Sequence, residues 1–216
     1  MISSSVIYTS SDLIAVDKPD GLSTIKERDP SIPFLQGNLE EELGERLYVV
    51  HRLDKEVSGA IIFARNEHAH RYMNGLFSKR QIKKTYLAVA QGVIIEDCGT
   101  IEAAIRTFGS GRMGVDSERG QQSTTDFKVR ERLRDHTLLT AEPSTGRRHQ
   151  LRVHFYQIGH PLAGDRKYGD SMRQASYSRL LLHAHSLAFC LPSGEDVRIE
   201  AEVPASFEEA VNTLRG

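Results

Sequence analysis

Two segments of the chain place charged side chains where they can do chemistry. The first, HRLDKEVSG at 51–59, holds Asp54 between Arg52 and Lys55 and leads into the apolar stretch GAIIFA. An ionised carboxylate can serve as a nucleophile, a base or a metal ligand. Because a buried strand is predicted to follow, Asp54 is expected at the rim of a sheet. A salt-bridged turn aspartate is the alternative that the residues leave open.

The second segment, TGRRHQLRVH at 145–154, is strongly basic. Its pattern predicts a helix near 147–158 that carries Arg148 and Arg152 four residues apart on one face. A helix that begins with Thr-Gly presents unpaired N–H groups and the positive end of its dipole, which suit a phosphate. A basic amphipathic helix on the surface is the alternative.

Histidines offer a third kind of chemistry. In LLHAH, His183 and His185 alternate with apolar residues and share one face of a predicted strand. Together with His51 they could form a three-ligand metal site, although hydrogen-bonded core histidines are more common. The turn-rich, charged stretch GHPLAGDRKYG at 159–169 carries no chemistry that the residues alone identify.

Hydrophobic periodicity predicts the elements that must position these groups. The 107–122 segment is Gly-rich and is predicted as a long surface hairpin loop. Asn66 and Ser206 are predicted to cap helices. Many strands, few helices and no βαβ rhythm predict an α+β fold with a large, mixed, mostly antiparallel sheet and flanking helices. Strands are expected at 6–9, 13–17, 59–64, 86–90, 100–105, 124–130, 137–142, 180–191 and 196–203, and helices at 35–44, 66–78, 147–158 and after Ser206.

Composition narrows the class of protein. The 216 residues are 39% hydrophobic and 26% charged, which is ordinary for a globular protein and enough for one large domain over 1–216. Two cysteines, Cys98 and Cys190, exclude a disulfide scaffold and a cysteine-built metal site. The sequence shows neither a secretory signal nor a membrane-spanning run, so we expect a cytoplasmic protein without a membrane partner.

Charge is unevenly distributed although the net charge is only −1. Residues 46–90 carry nine basic against three acidic residues, and residues 143–180 carry seven against two. Residues 29–45 and 194–216 are acidic. This distribution leaves two interpretations open: a basic face that binds a polyanion, or chance patterning on a solvated surface.

Six motifs follow one another along the chain: VDKPDGL at 16–22, HRLDKEVSG at 51–59, KKTYLAVAQG at 83–92, STGRRHQLRVH at 144–154, GHPLAGDRKYG at 159–169 and LLLHAHSLAF at 181–190. By the order and spelling of these motifs, the sequence resembles the RluA-type pseudouridine synthases over nearly its full length. One departure is Val57, where the usual residue is Thr; the β-branched shape is kept. The accessory N-terminal RNA-binding domain of many relatives is expected to be absent.

The resemblance implies the conversion of uridine to pseudouridine in RNA by base flipping, with no cofactor and no metal. By motif position Asp54 is the catalytic aspartate, Arg152 the arginine that pairs with it, and Tyr86 the tyrosine that lies against the target base. Arg52 would fill the space left by the flipped base, and Leu182 would form part of an apolar wall. The expected phosphate contacts are Lys83, Lys84, Arg147 and Arg148.

The resemblance also implies the partner. Family members act on large-subunit ribosomal RNA, transfer RNA or both, so we expect a monomer that binds one of these. Two other classes of function stay open at this point: a non-catalytic RNA-binding module on the same scaffold, and a metal-dependent hydrolase using Asp54, His51, His183 and His185.

Overall fold

The computed structural model describes residues 5–29 and 31–216. This part of the chain contains eleven strands and five helices. Eight of the strand pairings are antiparallel. The predicted α+β class with a large, mostly antiparallel sheet is therefore confirmed. None of the helices described is long and apolar enough to cross a membrane.

The chain divides into two compact units. The first comprises the chain up to Lys84 together with Ala184–Glu202, and the second comprises Thr85–His183 and Val203–Gly216. The prediction of a single domain over 1–216 stays a prediction.

Most elements of the first unit form a sheet around one buried strand. Its strand order is β1-β2-β4-β10, with β3 beside β4 and β11 beside β10. The strands are β1 (Val6–Thr9), β2 (Leu13–Lys18), β3 (Tyr48–Val49), β4 (Ser58–Ala64), β10 (Leu182–Cys190, of which the residues from Ala184 on belong to this unit) and β11 (Asp196–Glu200), and the helices are α1 (Leu35–Leu43) and α2 (Glu67–Ser78).

Strand β4 is buried along its whole length, as its apolar run predicts. Helix α2 packs on it through Ala69, Met73 and Leu76. The predicted cap of α2 is confirmed, because the Asn66 side chain accepts the N–H of Ala69 over 2.9 Å. Gly59 is required in β4, since a Cβ there would lie 2.2 Å from the carbonyl oxygen of Ala184.

The second unit holds the other strands, in the order β5-β9-β8-β6-β7. Helix α3 packs against β6 and β8. The strands are β5 (Lys83–Gln91), β6 (Cys98–Thr107), β7 (Met113–Val115), β8 (Gln121–Arg132) and β9 (His136–Pro143), and the helices are α3 (Gln150–Gln157), α4 (Ser171–Gln174) and α5 (Ala205–Arg215).

Helix α3 is shorter than the prediction of 147–158. It begins at Gln150 because the preceding residue, His149, has a left-handed backbone with φ of 55°. Arg148 therefore lies in the turn before the helix, and the prediction that Arg148 and Arg152 share a helix face is wrong. The Thr-Gly pair is likewise outside the helix and does not form its N-terminus.

Two further details differ from prediction. Ser206 does not cap α5, whose cap is Pro204; the Ser206 hydroxyl instead accepts a hydrogen bond from Arg179 Nη1 at 3.0 Å. The 107–122 segment forms a hairpin as predicted, but it contains β7, which pairs with the end of β6. Met113 of β7 is buried, so part of this hairpin belongs to the core.

Candidate active site

Asp54 lies in the loop that joins β3 to β4 in the first unit. It begins a tight turn in which the Val57 N–H donates to the carbonyl oxygen of Asp54 over 3.1 Å. Asp54 is half-buried, Leu53 and Val57 are buried, and Arg52 is exposed. The loop is thus anchored by an apolar residue on each side of Asp54, which stays partly accessible.

Thr24 and Lys18, a residue of the VDKPDGL segment, hold this loop by its backbone. The Thr24 hydroxyl, just after the segment, donates to the Leu53 carbonyl oxygen at 3.0 Å and accepts the Leu53 N–H at 3.2 Å. Lys18 holds the turn on the other side of Asp54, at the backbone of Lys55. Its side chain is fully buried, and a buried ammonium group is stable only when it is hydrogen-bonded. The Lys18 ammonium donates to the carbonyl oxygens of Pro19, Leu22 and Lys55 at 2.8, 2.7 and 3.2 Å.

His51 is engaged within the fold of the first unit. Its Nε2 accepts the Ile62 N–H at 3.0 Å, and its ring stacks on Phe77 with centroids 4.8 Å apart. Burial, aided by the nearby Lys84 ammonium, lowers the pKa of His51 to about 3. The ring is therefore neutral near pH 7, and its Nε2 lone pair is already used by a backbone donor.

The other two histidines considered as metal ligands are also placed in the core. His185 Nδ1 lies 3.2 Å from the carbonyl oxygen of Ala201, and the fully buried His183 ring lies 6.4 Å from the ring of Phe207. Among the described residues, no three His, Cys, Asp or Glu side chains form a group that could hold a metal ion.

Strand β5 presents the predicted basic pair and tyrosine. Lys83 is exposed, whereas Lys84 and Tyr86 are both half-buried. Burial, together with the charge of Arg80, lowers the pKa of Lys84 to about 8. Tyr86 pairs with Ala141 of β9, so a ladder between two strands fixes its backbone.

Arg152 is buried in α3 of the second unit and pairs with Asp165, a residue that the sequence analysis did not single out. Arg152 Nε lies 2.8 Å from Asp165 Oδ2, and Arg152 Nη2 lies 2.8 Å from Asp165 Oδ1. Asp165 Oδ1 also accepts the backbone N–H groups of Lys167 and Tyr168, at 3.0 and 3.1 Å. This bidentate fork fixes the plane of the guanidinium.

Tyr168 completes the surroundings of Arg152 within this unit. The Arg152 Cζ lies 5.4 Å from the centroid of the Tyr168 ring. The Tyr168 hydroxyl accepts the Met113 N–H at 3.1 Å and lies 2.7 Å from His149 Nδ1. Burial raises the pKa of Tyr168, so the phenol is neutral.

Arg147 and Arg148 lie in the turn before α3. Arg148 is exposed and Arg147 is half-buried. The Gln150 side chain shapes this turn, because its Oε1 accepts the Arg147 N–H at 3.0 Å and the Thr145 hydroxyl at 2.6 Å. The Arg147 Nε is buried and has no hydrogen-bond partner in the described part of the chain.

The predicted site residues divide between the units. The first unit holds Arg52, Asp54, Lys83 and Lys84, and the second holds Tyr86, Arg147, Arg148, Arg152 and Leu182. Leu182 is buried at the start of β10. Sequence reasoning missed the residues that hold the others in place, although the quoted motifs contain all of them except Thr24. These are Lys18, Thr24, Gln150, Asp165 and Tyr168.

The chain is similar to RNA pseudouridine synthases in both sequence and structure. Residues 12–157 match the family model described as RNA pseudouridylate synthase. An uncharacterized RNA pseudouridine synthase of Zymomonas mobilis is 33% identical over 94% of this chain and 95% of its own length. The ribosomal large subunit pseudouridine synthase C of Pasteurella multocida is 33% identical over 97% of this chain and 68% of its own. Human RNA pseudouridylate synthase domain containing 1 superimposes with a TM-score of 0.81 at 30% identity, covering 99% of this chain and 95% of its own.

Proposed function

Because the chain belongs to the RNA pseudouridylate synthase family, whose members are isomerases acting on uridine in RNA, we propose that Asp54 is its nucleophile. The observation that carries this assignment is the rigid turn of Asp54. Hydrogen bonds from Thr24 and Lys18 fix the backbone on both sides of a half-buried carboxylate. A fixed backbone limits the positions that the Asp54 carboxylate can reach, which suits a group that must act on a single atom of a bound substrate.

The proposed reaction is an isomerisation in which no group is imported. The bond between the anomeric carbon and N1 of uracil breaks, the base turns, and C5 bonds to the same carbon. C5 loses its proton and N1 gains one, so atoms and charge balance. A carboxylate can attack or stabilise an oxocarbenium-like anomeric carbon, as in retaining glycosidases. The base must leave the stack to react, so base flipping is part of the proposal.

The other predicted residues take supporting roles. Arg152, whose Nε and Nη2 are bound by Asp165, would hold Asp54 ionised. Tyr86 would stack on the uracil ring, Arg52 would occupy the position vacated by the flipped base, and Leu182 would line the pocket. Phosphates would be bound by Lys83, Lys84, Arg147 and Arg148.

The substrate in this proposal is structured RNA. The names of relatives from Pasteurella multocida and Xylella fastidiosa refer to the large ribosomal subunit, so ribosomal RNA is the first substrate to test and transfer RNA the second. We place the enzyme in the cytoplasm as a monomer that needs no metal and no organic cofactor.

The test is pseudouridine formation on unmodified ribosomal and transfer RNA transcripts. Dialysis against a chelator should leave the rate unchanged, since His51 already uses its Nε2 on the Ile62 N–H. A strict requirement for zinc would favour the metal-dependent hydrolase class. Binding of RNA without any product would favour a non-catalytic RNA-binding module. Pseudouridine maps of a deletion strain and its parent would then identify the modified uridine.

A further inference from the structure

The Arg152–Asp165 pair is more rigid than a typical ion pair. Both residues are almost completely buried, with 2% of Arg152 and none of Asp165 exposed. Asp165 accepts four N–H groups, two from Arg152 and two from the backbone of Lys167 and Tyr168. This acceptor-only role is that of an ionised carboxylate. The guanidinium is therefore held in one plane by a carboxylate that is itself fixed.

The backbone before Asp165 is equally constrained. Gly164 has φ of +80°, and a Cβ there would lie 1.8 Å from the carbonyl oxygen of Arg179. Its N–H donates to Gln174 Oε1 at 2.7 Å. Only glycine fits this close approach, so the Gly-Asp pair delivers the Asp165 carboxylate to a single position.

Stability alone is a weak reason to keep such a pair. Removing two charges from water is expensive, and buried ion pairs can often be replaced by well-packed apolar side chains without loss of stability. The Tyr168 ring against Arg152 adds a second restraint on the guanidinium. The arrangement fixes where the remaining N–H groups of Arg152 point.

We infer that Asp165 is a positioning residue: it orients the Arg152 guanidinium for the proposed reaction, and Tyr168 supports it. This inference rests on the proposed function. Asp165 itself touches neither substrate nor reacting atoms in this account and acts through Arg152.

The test compares Asp165→Asn with the wild-type enzyme in single-turnover reactions at saturating RNA. The probe is the ribosomal or transfer RNA transcript that the wild type converts. Because a displacement of about 1 Å at a reacting centre can slow a reaction about 10²-fold, we expect a loss of that order per folded molecule. The dissociation constant for RNA should change by less than about threefold, since Asp165 makes no proposed phosphate contact.

A matched control is available in the same unit. Asp116 pairs with Arg106 Nε at 2.6 Å and accepts the backbone N–H groups of Glu118 and Arg119, at 3.1 and 3.0 Å. Asp116→Asn thus changes a similar set of bonds that does not include Arg152, and it should leave the single-turnover rate unchanged. A rate for Asp165→Asn as high as that for Asp116→Asn would overturn the positioning role.

A second measurement separates positioning from support of the fold. If Asp165 acts through Arg152, the double variant Arg152→Lys with Asp165→Asn should be no slower than Arg152→Lys alone. Additive losses would contradict the inference, as would failure of both Asp165→Asn and Asp165→Glu to fold. Wild-type enzyme that modifies no RNA would instead contradict the proposed function, so the two failures are distinguishable.

Discussion

At the scale of single residues, the partners of a charged side chain decide what it can do. Arg152 donates hydrogen bonds from two of its nitrogens to the carboxylate of Asp165. The positive charge of Arg152 is thus balanced by a residue of its own unit. Lys84 differs from Arg152, because burial lowers its pKa to about 8. The direction of the Arg152 guanidinium is thus fixed by its partner, whereas the charge of Lys84 depends on pH near this lowered pKa.

Replacing Arg152 by Lys should remove most of the activity although the charge is kept. A lysine cannot span both Asp165 oxygens, which Arg152 reaches at 2.8 Å each. The loss should appear in the single-turnover rate rather than in RNA affinity. Near-wild-type turnover by this variant would show that Arg152 is a general electrostatic contact.

The contribution of Lys84 to RNA binding should depend on pH. Its pKa of about 8 means that the ammonium is largely charged at pH 7 and largely neutral at pH 9. On single-stranded RNA a full charge contributes about 0.7 to the salt-dependence slope, so the loss of about 0.8 of a charge between these pH values should lower the slope by about 0.6. Binding curves at several salt concentrations measure this slope, and turnover at saturating RNA should change little.

Two variants test this assignment. Lys84→Arg, which stays charged, should keep the slope at both pH values, whereas Lys83→Ala should lower affinity without altering the pH dependence. If Lys84→Ala leaves the slope and affinity unchanged, the RNA path lies elsewhere, along the turn of Arg147 and Arg148.

At the scale of elements, the loop before β4 depends on a neighbouring segment for its shape. Thr24→Val keeps the side-chain shape but leaves the N–H and carbonyl of Leu53 without their hydroxyl partner. Buried groups left in this way destabilise a fold by about 1–3 kcal/mol. We expect a loss of that order in urea unfolding, and a slower single-turnover rate because Asp54 is the next residue.

Glu27→Gln is the control for this prediction. Glu27 pairs with Lys55 of the same loop at 2.9 Å, with 43% of the Lys55 side chain and 33% of the Glu27 side chain exposed to water. Ion pairs with this degree of exposure contribute little. This variant should match the wild type in stability and rate. Equal rates for Thr24→Val and Glu27→Gln would show that the hydroxyl clamp does not position Asp54.

Local elements were predictable because their causes are local. Asn66 begins α2 and the GAIIFA run forms a buried strand, as capping and hydrophobic pattern predict. Ser206 also fits a capping pattern, but Arg179, 27 residues earlier, takes its hydroxyl. The start of α3 depends on the left-handed backbone of His149, which no periodicity reveals.

The candidate site was predictable only in part for the same reason. Motif spelling identified Asp54, Tyr86 and Arg152 as the residues to test. The Asp165 partner of Arg152 is 13 positions away, across turns whose geometry depends on Gly164. Thr24 and Leu53 are 29 positions apart. Pairings of this kind follow from the folded chain and not from any short pattern.

At the scale of the whole molecule, buried neutral histidines link folding to pH. His154 is fully buried, and the Ser123 hydroxyl lies 2.9 Å from its Nε2 while donating to the Ala103 carbonyl oxygen. Burial lowers the pKa of His154 to about 4 and that of His51 to about 3. Below the ordinary pKa of 6.5 the unfolded chain therefore binds protons that the folded chain does not.

Stability should consequently fall as the pH is lowered from 6.5 toward 5. The limiting slope is about 1.4 kcal/mol per pH unit for each such histidine. Urea unfolding at several pH values measures the slope of the free energy of unfolding against pH. His154→Gln should lower this slope by the contribution of one histidine. The exposed His68 provides the control, since His68→Gln should keep the wild-type slope. An unchanged slope in His154→Gln would contradict the assignment.

The central claim is that Asp54 is the nucleophile of an RNA pseudouridine synthase. Its most direct test is pseudouridine formation by Asp54→Asn on the transcript that the wild type modifies. The amide keeps the shape of the side chain but cannot act as an anionic nucleophile. The account predicts no product above background, with wild-type folding and RNA binding retained. Turnover by Asp54→Asn close to that of the wild type would contradict it.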